Sequence, residues 1–396
     1  MDNSSGSRSE QEIISDYFHR GLTCFEILAF LIAYHGVQFG YRQLKRKLKQ
    51  FGLCRNTGPR YFESVVTAVE SEISGCGKDL GYRLMHKRIQ QKYQLAVSRE
   101  QIRLVLKHLD PLGVEGRKQR RLKRREYSVK GPNYLWHIDG WDKLKQFGFG
   151  IHGCIDGYSR KILWLEVAST NKDPFVICSY FARCIKEING IPLKIRADRG
   201  TENVHVELMQ NSLSTLNTEN EDNMQVHFLY GKSTANQRIE NWWSKFGMMG
   251  MTTWINHFKA MSDAGIIDTS EELDIQCIIF CYINLLRTEL ERIVEMWNTH
   301  SIRRSRNSQQ PYGKPDVIYC LPELNGSQDY LQLLNTNELA TLSEALVKTT
   351  PCCKEEFREL FLLTMDLNGK TQPSNMLEAD DLLVYLLDTI NYDLSM

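Results

Sequence analysis

The chain has 396 residues, 42% of them hydrophobic and 24% charged, with a formal net charge of +1. At about 150 residues per domain this length predicts two or three domains, the apolar fraction excludes a disordered chain, and ten Pro with 26 Gly exclude collagen-like or low-complexity sequence. The near-zero charge hides a gradient: residues 1–130 hold 25 Lys and Arg against 13 Asp and Glu (+12), residues 131–310 hold 19 against 21 (−2), and residues 311–396 hold 5 against 14 (−9), so a polyanion is expected at the front and not at the rear.

The longest apolar stretches, around 27–33 and 277–286, run to about ten residues, whereas a membrane span needs about 20; both read as core helices, and no membrane association is expected. The first dozen residues are polar and show no secretory signal. Eleven cysteines, single or in close pairs, do not form a disulfide framework and point to an intracellular protein.

The front third reads as helical. An apolar run over 22–34 begins near Thr23 and breaks at His35-Gly36. A second helix is predicted over 41–51, with Tyr41, Leu44, Leu48 and Phe51 on one face and Arg42, Lys45, Arg46 and Lys49 on another. Two helices around a short glycine-containing break, the second with a basic stripe, suit a helix-turn-helix. The design recurs. A helix over 80–93 precedes one that starts at the N-cap Ser98 and runs to 109, with Ile102, Val105, Leu106 and Leu109 inside and Arg99, Arg103 and Lys107 along a basic line. Solubility alone explains one such helix; two in series within the +12 segment favour nucleic-acid binding. Residues 117–125, RKQRRLKRR, follow. Their seven basic residues (Arg117, Lys118, Arg120, Arg121, Lys123, Arg124 and Arg125) suit a phosphate-tracking linker and a nuclear-import signal.

From residue 134 the pattern alternates. Strands are predicted over 134–139, 147–156 and 161–168, a helix over 173–188, a strand over 193–198 and a helix over 203–216. An acidic loop (217–223), a strand over 224–229, a loop over 231–234 and a helix from Asn236 complete the series. This layout is α/β, with a five-stranded mixed sheet. A long helix over 285–300 precedes a basic patch at 303–306. The expected organisation is an all-α front over 1–115, a linker over 116–130, the α/β core over 131–310 and an acidic region over 311–396. That last region is read as helical over 330–347, 354–366 and 377–392, packed on the core or available to a protein partner.

Three carboxylates are candidates for chemistry. Asp139 is read as ending the first strand (WHID), Asp198 as ending the fourth (KIRAD). Glu240 (NQRIENWW) lies one turn into the last core helix, at the edge of a stripe made by Ile239, Trp242, Trp243 and Phe246. Three carboxylates at one sheet edge repel each other unless cations lie between them. Two divalent ions about 4 Å apart answer that and serve an in-line phosphoryl displacement; carboxylate ligands suit Mg²⁺ or Mn²⁺. Asp142, Asp156 and Glu202, nearby, read as solvated loop carboxylates.

These motifs, WHID, IRADRGTEN and GKSTANQRIENWW, in this order and with these elements between them, resemble the integrase core of retroviruses, retrotransposons and DDE transposases. Within that family the chain looks most like transposon-derived proteins of animal genomes. The resemblance covers about residues 130–305 and implies a ribonuclease H-like fold. It also implies an Asp139/Asp198/Glu240 triad holding two Mg²⁺ or Mn²⁺ ions, DNA as substrate, an oligomer on DNA ends, and action in the nucleus. It makes 231–237 the active-site loop near DNA, with Lys232, Asn236 and Lys245 as contacts. The reaction implied is cleavage at a DNA end followed by attack of the freed 3′-hydroxyl on target DNA. A DNA-binding protein that has kept the fold without the chemistry, and a nuclease that does not join, stay open. Two features depart from the retroviral pattern. Asp198 and Glu240 are separated by 41 residues, and no His/Cys zinc module is present. Cys277/Cys281 and Cys352/Cys353 lack a matching His pair, and Cys54 and Cys76 are poorly spaced against His19 and His35, so no structural zinc is expected.

Overall fold

The computed structural model describes residues 8–54, 62–117, 127–216, 227–231, 236–304, 310–335 and 353–395. The front is all helical: α1 (Glu10–His19), α2 (Cys24–His35), α3 (Tyr41–Gln50), α4 (Phe62–Ser74), α5 (Tyr82–Tyr93), α6 (Arg99–Leu109) and the short α7 (Pro111–Gly116). Capping boxes start three of them: Ser9 with Glu12, Thr23 with Glu26, and Ser98 with Gln101. Gly36, at φ 62°, ends α2 in the left-handed conformation that glycine adopts without steric cost. Helices α1 and α4 are absent from the sequence expectation. The polar start hides α1, which buries only Ile14. In α4 the buried stripe is Val65, Ala68, Val69 and Glu72; its spacing is helical, but a glutamate occupies the fourth position.

The first helices close a small core of Ile14, Leu22, Ile27, Phe30, Leu31, Leu44 and Leu48 against Val317. The second pair belongs to the main core. Val65, Leu80, Met85, Ile89, Ile102 and Leu106 share one apolar cluster with the sheet and the long helices behind it. Within that contact Arg88 reaches Glu72 at 2.5 Å and Glu289 at 2.7 Å, all three buried.

The core sheet consists of β1 (Trp136–Trp141), β2 (Gly150–Asp156), β3 (Ile162–Ala168), β5 (Ile195–Ala197) and β6 (Phe228–Tyr230), in the order β3-β2-β1-β5-β6. The first three strands are an antiparallel meander; β5 runs parallel to β1 and β6 parallel to β5. Helices α8 (Pro174–Glu187) and α9 (Val204–Leu216) cover one face, with Trp136, Ile138, Ile195 and Ala197 beneath them. Helices α10 (Gln237–Phe246), α11 (Thr252–Asp263) and α12 (Glu272–Thr299) cover the other, over Trp141, Ile151, Ile155 and Val167. This is the five-stranded mixed sheet that the sequence predicts, in a ribonuclease H-like fold.

Some expectations are corrected. β1 continues to Trp141, so Asp139 lies inside the strand instead of ending it. The helix expected over 285–300 is one 28-residue helix that also takes in the 277–286 run. Residues 330–335 are not helical; they are extended, and β7 (Gln332–Leu333) pairs with β4 (Gly190–Ile191). The remainder of that expected helix, and the acidic loop at 217–223, lie outside the described residues. Behind α13 (Pro315–Cys320), the tail helices α14 (Glu355–Leu367) and α15 (Met376–Ser395) pack on α12 through Phe361, Leu382, Leu383, Leu386 and Ile390. Asp380, from the acidic tail, binds Tyr282 and His257 of α12 and α11. Among the described residues no helix is long and apolar enough to cross a membrane.

Candidate active site

Strand alternation decides which side chains meet. Trp136 and Ile138 point into the α8/α9 layer, so His137, Asp139 and Trp141 face α10. The same rule applies to β5, where Ile195 and Ala197 point to α8/α9 and Arg196 and Asp198 point the other way. β1 and β5 are parallel, with Trp136 beside Ile195 and His137 beside Arg196. Carrying that register two residues on puts Asp198, the residue after β5, level with Asp139 and on the same face. Parallel neighbours are about 4.8 Å apart, which is carboxylate-to-carboxylate range.

Glu240 comes from the helix that covers this face, and two anchors hold that helix. Asn236, just before α10, donates from Nδ2 to the Ile138 carbonyl at 2.9 Å, and its Oδ1 lies 2.6 Å from His137 Nδ1. Trp243, one turn after Glu240, donates its indole N–H to Asp139 Oδ2 at 2.9 Å. Glycine is required under that ring. Gly153 sits opposite Asp139 in the β1–β2 ladder, and a Cβ there would lie 2.9 Å from Trp243 Cη2. Ile239, Trp242 and Phe246 fill the buried face of α10, while Glu240 between the anchors is exposed.

The electrostatics agree with this placement. Burial pushes Asp139 up to about 7, and the charges of Glu240 and Asp198 add to the rise against the donors Trp243 and Gly140. Glu240, though exposed along most of its side chain, is raised by partial desolvation of its carboxyl and by the charge of Asp198. Each of these two carboxyls thus feels its partners. Among the described residues no Lys or Arg forms an ion pair with any of the three. Nor, among those residues, are three Asp, Glu, His or Cys groups gathered around a point that one ion could occupy.

The neighbouring carboxylates have other employment. Asp156 is fully buried and accepts from the backbone N–H of Asn133, Tyr158 and Ser159 and from the Ser159 hydroxyl, so it is a turn-former and not the solvated group expected. Asp142 accepts from Asn171 at 2.7 Å. Glu202 lies in the short turn Thr201–Asn203 that follows Asp198.

Of the residues assigned to DNA from the sequence, Arg42, Lys45, Arg46 and Lys49 are exposed on α3, opposite the buried Leu44 and Leu48. Arg99, Arg103 and Lys107 are exposed on α6, but Arg103 is held by Glu100 at 2.8 Å. Arg117 is tied to Asp110 at 2.9 Å and to the Lys78 carbonyl, closing α7 onto its neighbour. Lys245 lies 4.8 Å from the centre of the Trp297 ring. Asn236 is 1% exposed and both ends of its amide are engaged, so it is a clamp between β1 and α10 and not a contact for DNA. Lys118, Arg120, Arg121, Lys123, Arg124, Arg125 and Lys232 lie outside the described residues. Sequence reasoning missed Trp243 as a partner of Asp139. Its i, i+3 spacing from Glu240 was a usable signal, because residues three apart share a helix face.

The sheet order and the layering are those of a ribonuclease H-like domain. Residues 126–315 match the family described as integrase core domain, a match that supports a retroviral-type integrase core in this segment of the chain. No curated protein matches the chain. The match supports an integrase- or transposase-like function that acts on DNA, in a family whose cores generally use a divalent metal.

Proposed function

We propose that the protein is a DDE-type polynucleotidyl transferase that cuts a DNA end and joins it to target DNA, with Asp139, Asp198 and Glu240 as its catalytic carboxylates. The observation that supports this reading most is that the charges of Glu240 and Asp198 both raise the Asp139 carboxyl, next to a β1–β5 register that runs toward Asp139 and Asp198. The residues fit a hard divalent cation: they offer only carboxylate oxygens, and no basic side chain among the described residues neutralises them. Asp139 with Asp198 would hold one Mg²⁺ or Mn²⁺ and Asp139 with Glu240 a second. When bound, such ions supply Lewis-acid charge to the attacking and leaving oxygens of an in-line displacement.

The chain's own residues have distinct tasks. Trp243 fixes which oxygen of Asp139 is turned away from the ring, leaving the other for the site. Asn236 fixes the entry of α10, and with it the first turn that carries Glu240. The basic faces of α3 and α6, in helix-turn-helix arrangements with α2 and α5, and the run at 117–125 would grip DNA chiefly through phosphates. That run also suits nuclear import. Joining two DNA ends calls for more than one protomer, so an oligomer on DNA is part of the proposal.

The test is direct. Purified protein with Mg²⁺ or Mn²⁺ and duplex oligonucleotides carrying the ends of its genomic element should release a 3′-hydroxyl and join it to a second duplex. Asp198→Asn should abolish both steps and leave DNA affinity unchanged. Cleavage without joining would reassign the protein as a nuclease. Equal inactivity of wild type and variant, with DNA binding intact, would leave a DNA-binding protein on an integrase fold.

A further inference from the structure

Asparagine is among the strongest helix N-caps, because its side-chain oxygen accepts from the first-turn N–H groups. Asn236 stands at the N-cap of α10, yet its side chain makes no capping bond. It turns to β1 instead, and its neighbours fix the direction of every hydrogen bond. Nδ2 donates to the Ile138 carbonyl at 2.9 Å, which leaves Oδ1 as the acceptor. His137 Nδ1, 2.6 Å away, must therefore carry the proton. His137 Nε2 is then an acceptor, and the Tyr127 hydroxyl donates to it at 2.5 Å. His137 is fully buried, and this chain satisfies both of its ring nitrogens.

The far end is held as firmly. A Cβ on Gly157 would lie 2.7 Å from the Tyr127 hydroxyl, so only glycine admits the phenol to His137. The Arg238 guanidinium lies 4.2 Å from the centre of the Tyr127 ring, and its Nε donates to the Gly157 carbonyl at 2.8 Å. Tyr127 stands two residues beyond the basic run that ends at Arg125. The other end of the chain carries the first turn of α10, where the Glu240 N–H bonds the Asn236 carbonyl at 3.2 Å.

We propose that Tyr127, His137 and Asn236 are positioning residues: their hydrogen-bond chain ties the segment after the basic run to the first turn of α10 and so sets Glu240 against Asp139. This rests on the assignment of those two carboxylates to the active site. Its energetic logic is that α10 gives up a capping bond in exchange for a fixed entry angle. A helix entry that drifts by a fraction of an ångström moves Glu240, four residues on, out of register with Asp139.

The experiment uses the full-length protein and the variants Tyr127→Phe, Asn236→Ala and the double variant. Two quantities are read: kcat and KM on end oligonucleotides with Mn²⁺, and amide hydrogen exchange of residues 237–246 without metal. Tyr127→Phe removes one oxygen and should lower kcat about tenfold with KM for DNA nearly unchanged. It should also speed exchange in the first turn of α10 by about tenfold. The double variant should be no slower than Asn236→Ala alone, because both act through one chain. Wild-type kcat and exchange in Tyr127→Phe, a rise in KM at constant kcat, or losses that multiply in the double variant would each overturn the proposal. If wild-type protein turns over no DNA, the catalytic reading fails on its own. The exchange measurement then still decides: faster exchange in Tyr127→Phe supports the positioning chain, and unchanged exchange overturns it.

Discussion

Trp243 and Asp139 are 104 residues apart in the chain and 2.9 Å apart in the fold. An N–H donated to a carboxylate beside a metal site orients it, and loss of such an outer partner commonly costs about 10–100-fold in metal affinity. Trp243→Phe removes the donor together with the part of the indole that lies over Gly153, so it should lower the melting temperature as well. Calorimetric titration of the variant with Mn²⁺, at a temperature where it stays folded, should show weaker binding in that range. Gly153→Ala should reach the same end by another route, since its methyl group would press on the indole edge and swing the N–H away from Asp139. Wild-type Mn²⁺ affinity in both variants would remove Trp243 from the site. The three proposed carboxylates stand out in the sequence because each sits in a motif of distinctive residues. Of their orienting partners only Trp243 has a signal there, its i, i+3 spacing from Glu240. Whether an asparagine faces DNA or a strand depends on the pairing of β1 with β5 and on where α10 lands, and no local pattern encodes either.

At the scale of elements, α4 shows why part of the fold escaped the sequence. Its stripe ends in Glu72, which reads as solvent-facing until Arg88 and Lys92 of α5 are known to be its partners. Long amphipathic helices with capping signals, such as α6 and α8, were readable because their stripes are wholly apolar. Glu72 is also where stability should depend on pH. Burial pushes its carboxyl up, but Arg88, Lys92 and Tyr93 outweigh burial and hold it below the usual value. A carboxyl depressed on folding adds stability above its unfolded value of about 4.3, and loses it as pH falls through the lower folded value. Melting temperature of the wild type should therefore drop steeply between about pH 4.3 and the depressed folded value. In Glu72→Gln that acid limb should flatten. At neutral pH the variant should be less stable by about 3 kcal/mol, because Arg88 keeps only one of its two buried partners. Parallel melting curves for the two proteins across the acid range would refute the assignment.

Taken whole, the molecule carries its charge as a gradient along the chain, and α4 to α6, the α10–α12 layer and the tail helices α14 and α15 share one apolar cluster. The acidic tail is part of that cluster. Leu383 and Leu386 are fully buried against α12, so a chain ending at residue 352 should expose the α12 face and aggregate on expression, as sedimentation of the lysate would show. The basic front can be tested without such damage. Arg42, Lys45, Arg46 and Lys49 project from the solvent face of α3, while Leu44 and Leu48 hold the helix in place from the other side. Each phosphate contact made by such a residue releases a counterion, and the logarithm of DNA affinity falls with the logarithm of salt at about −0.9 per contact on duplex DNA. Changing Lys45, Arg46 and Lys49 together to Gln should leave the fold intact and reduce the magnitude of that slope by about 2 to 3. Fluorescence anisotropy of a labelled duplex between about 50 and 200 mM salt reads it directly. The same triple change with an unaltered slope would move the DNA grip off α3, onto α6 or the basic run after α7.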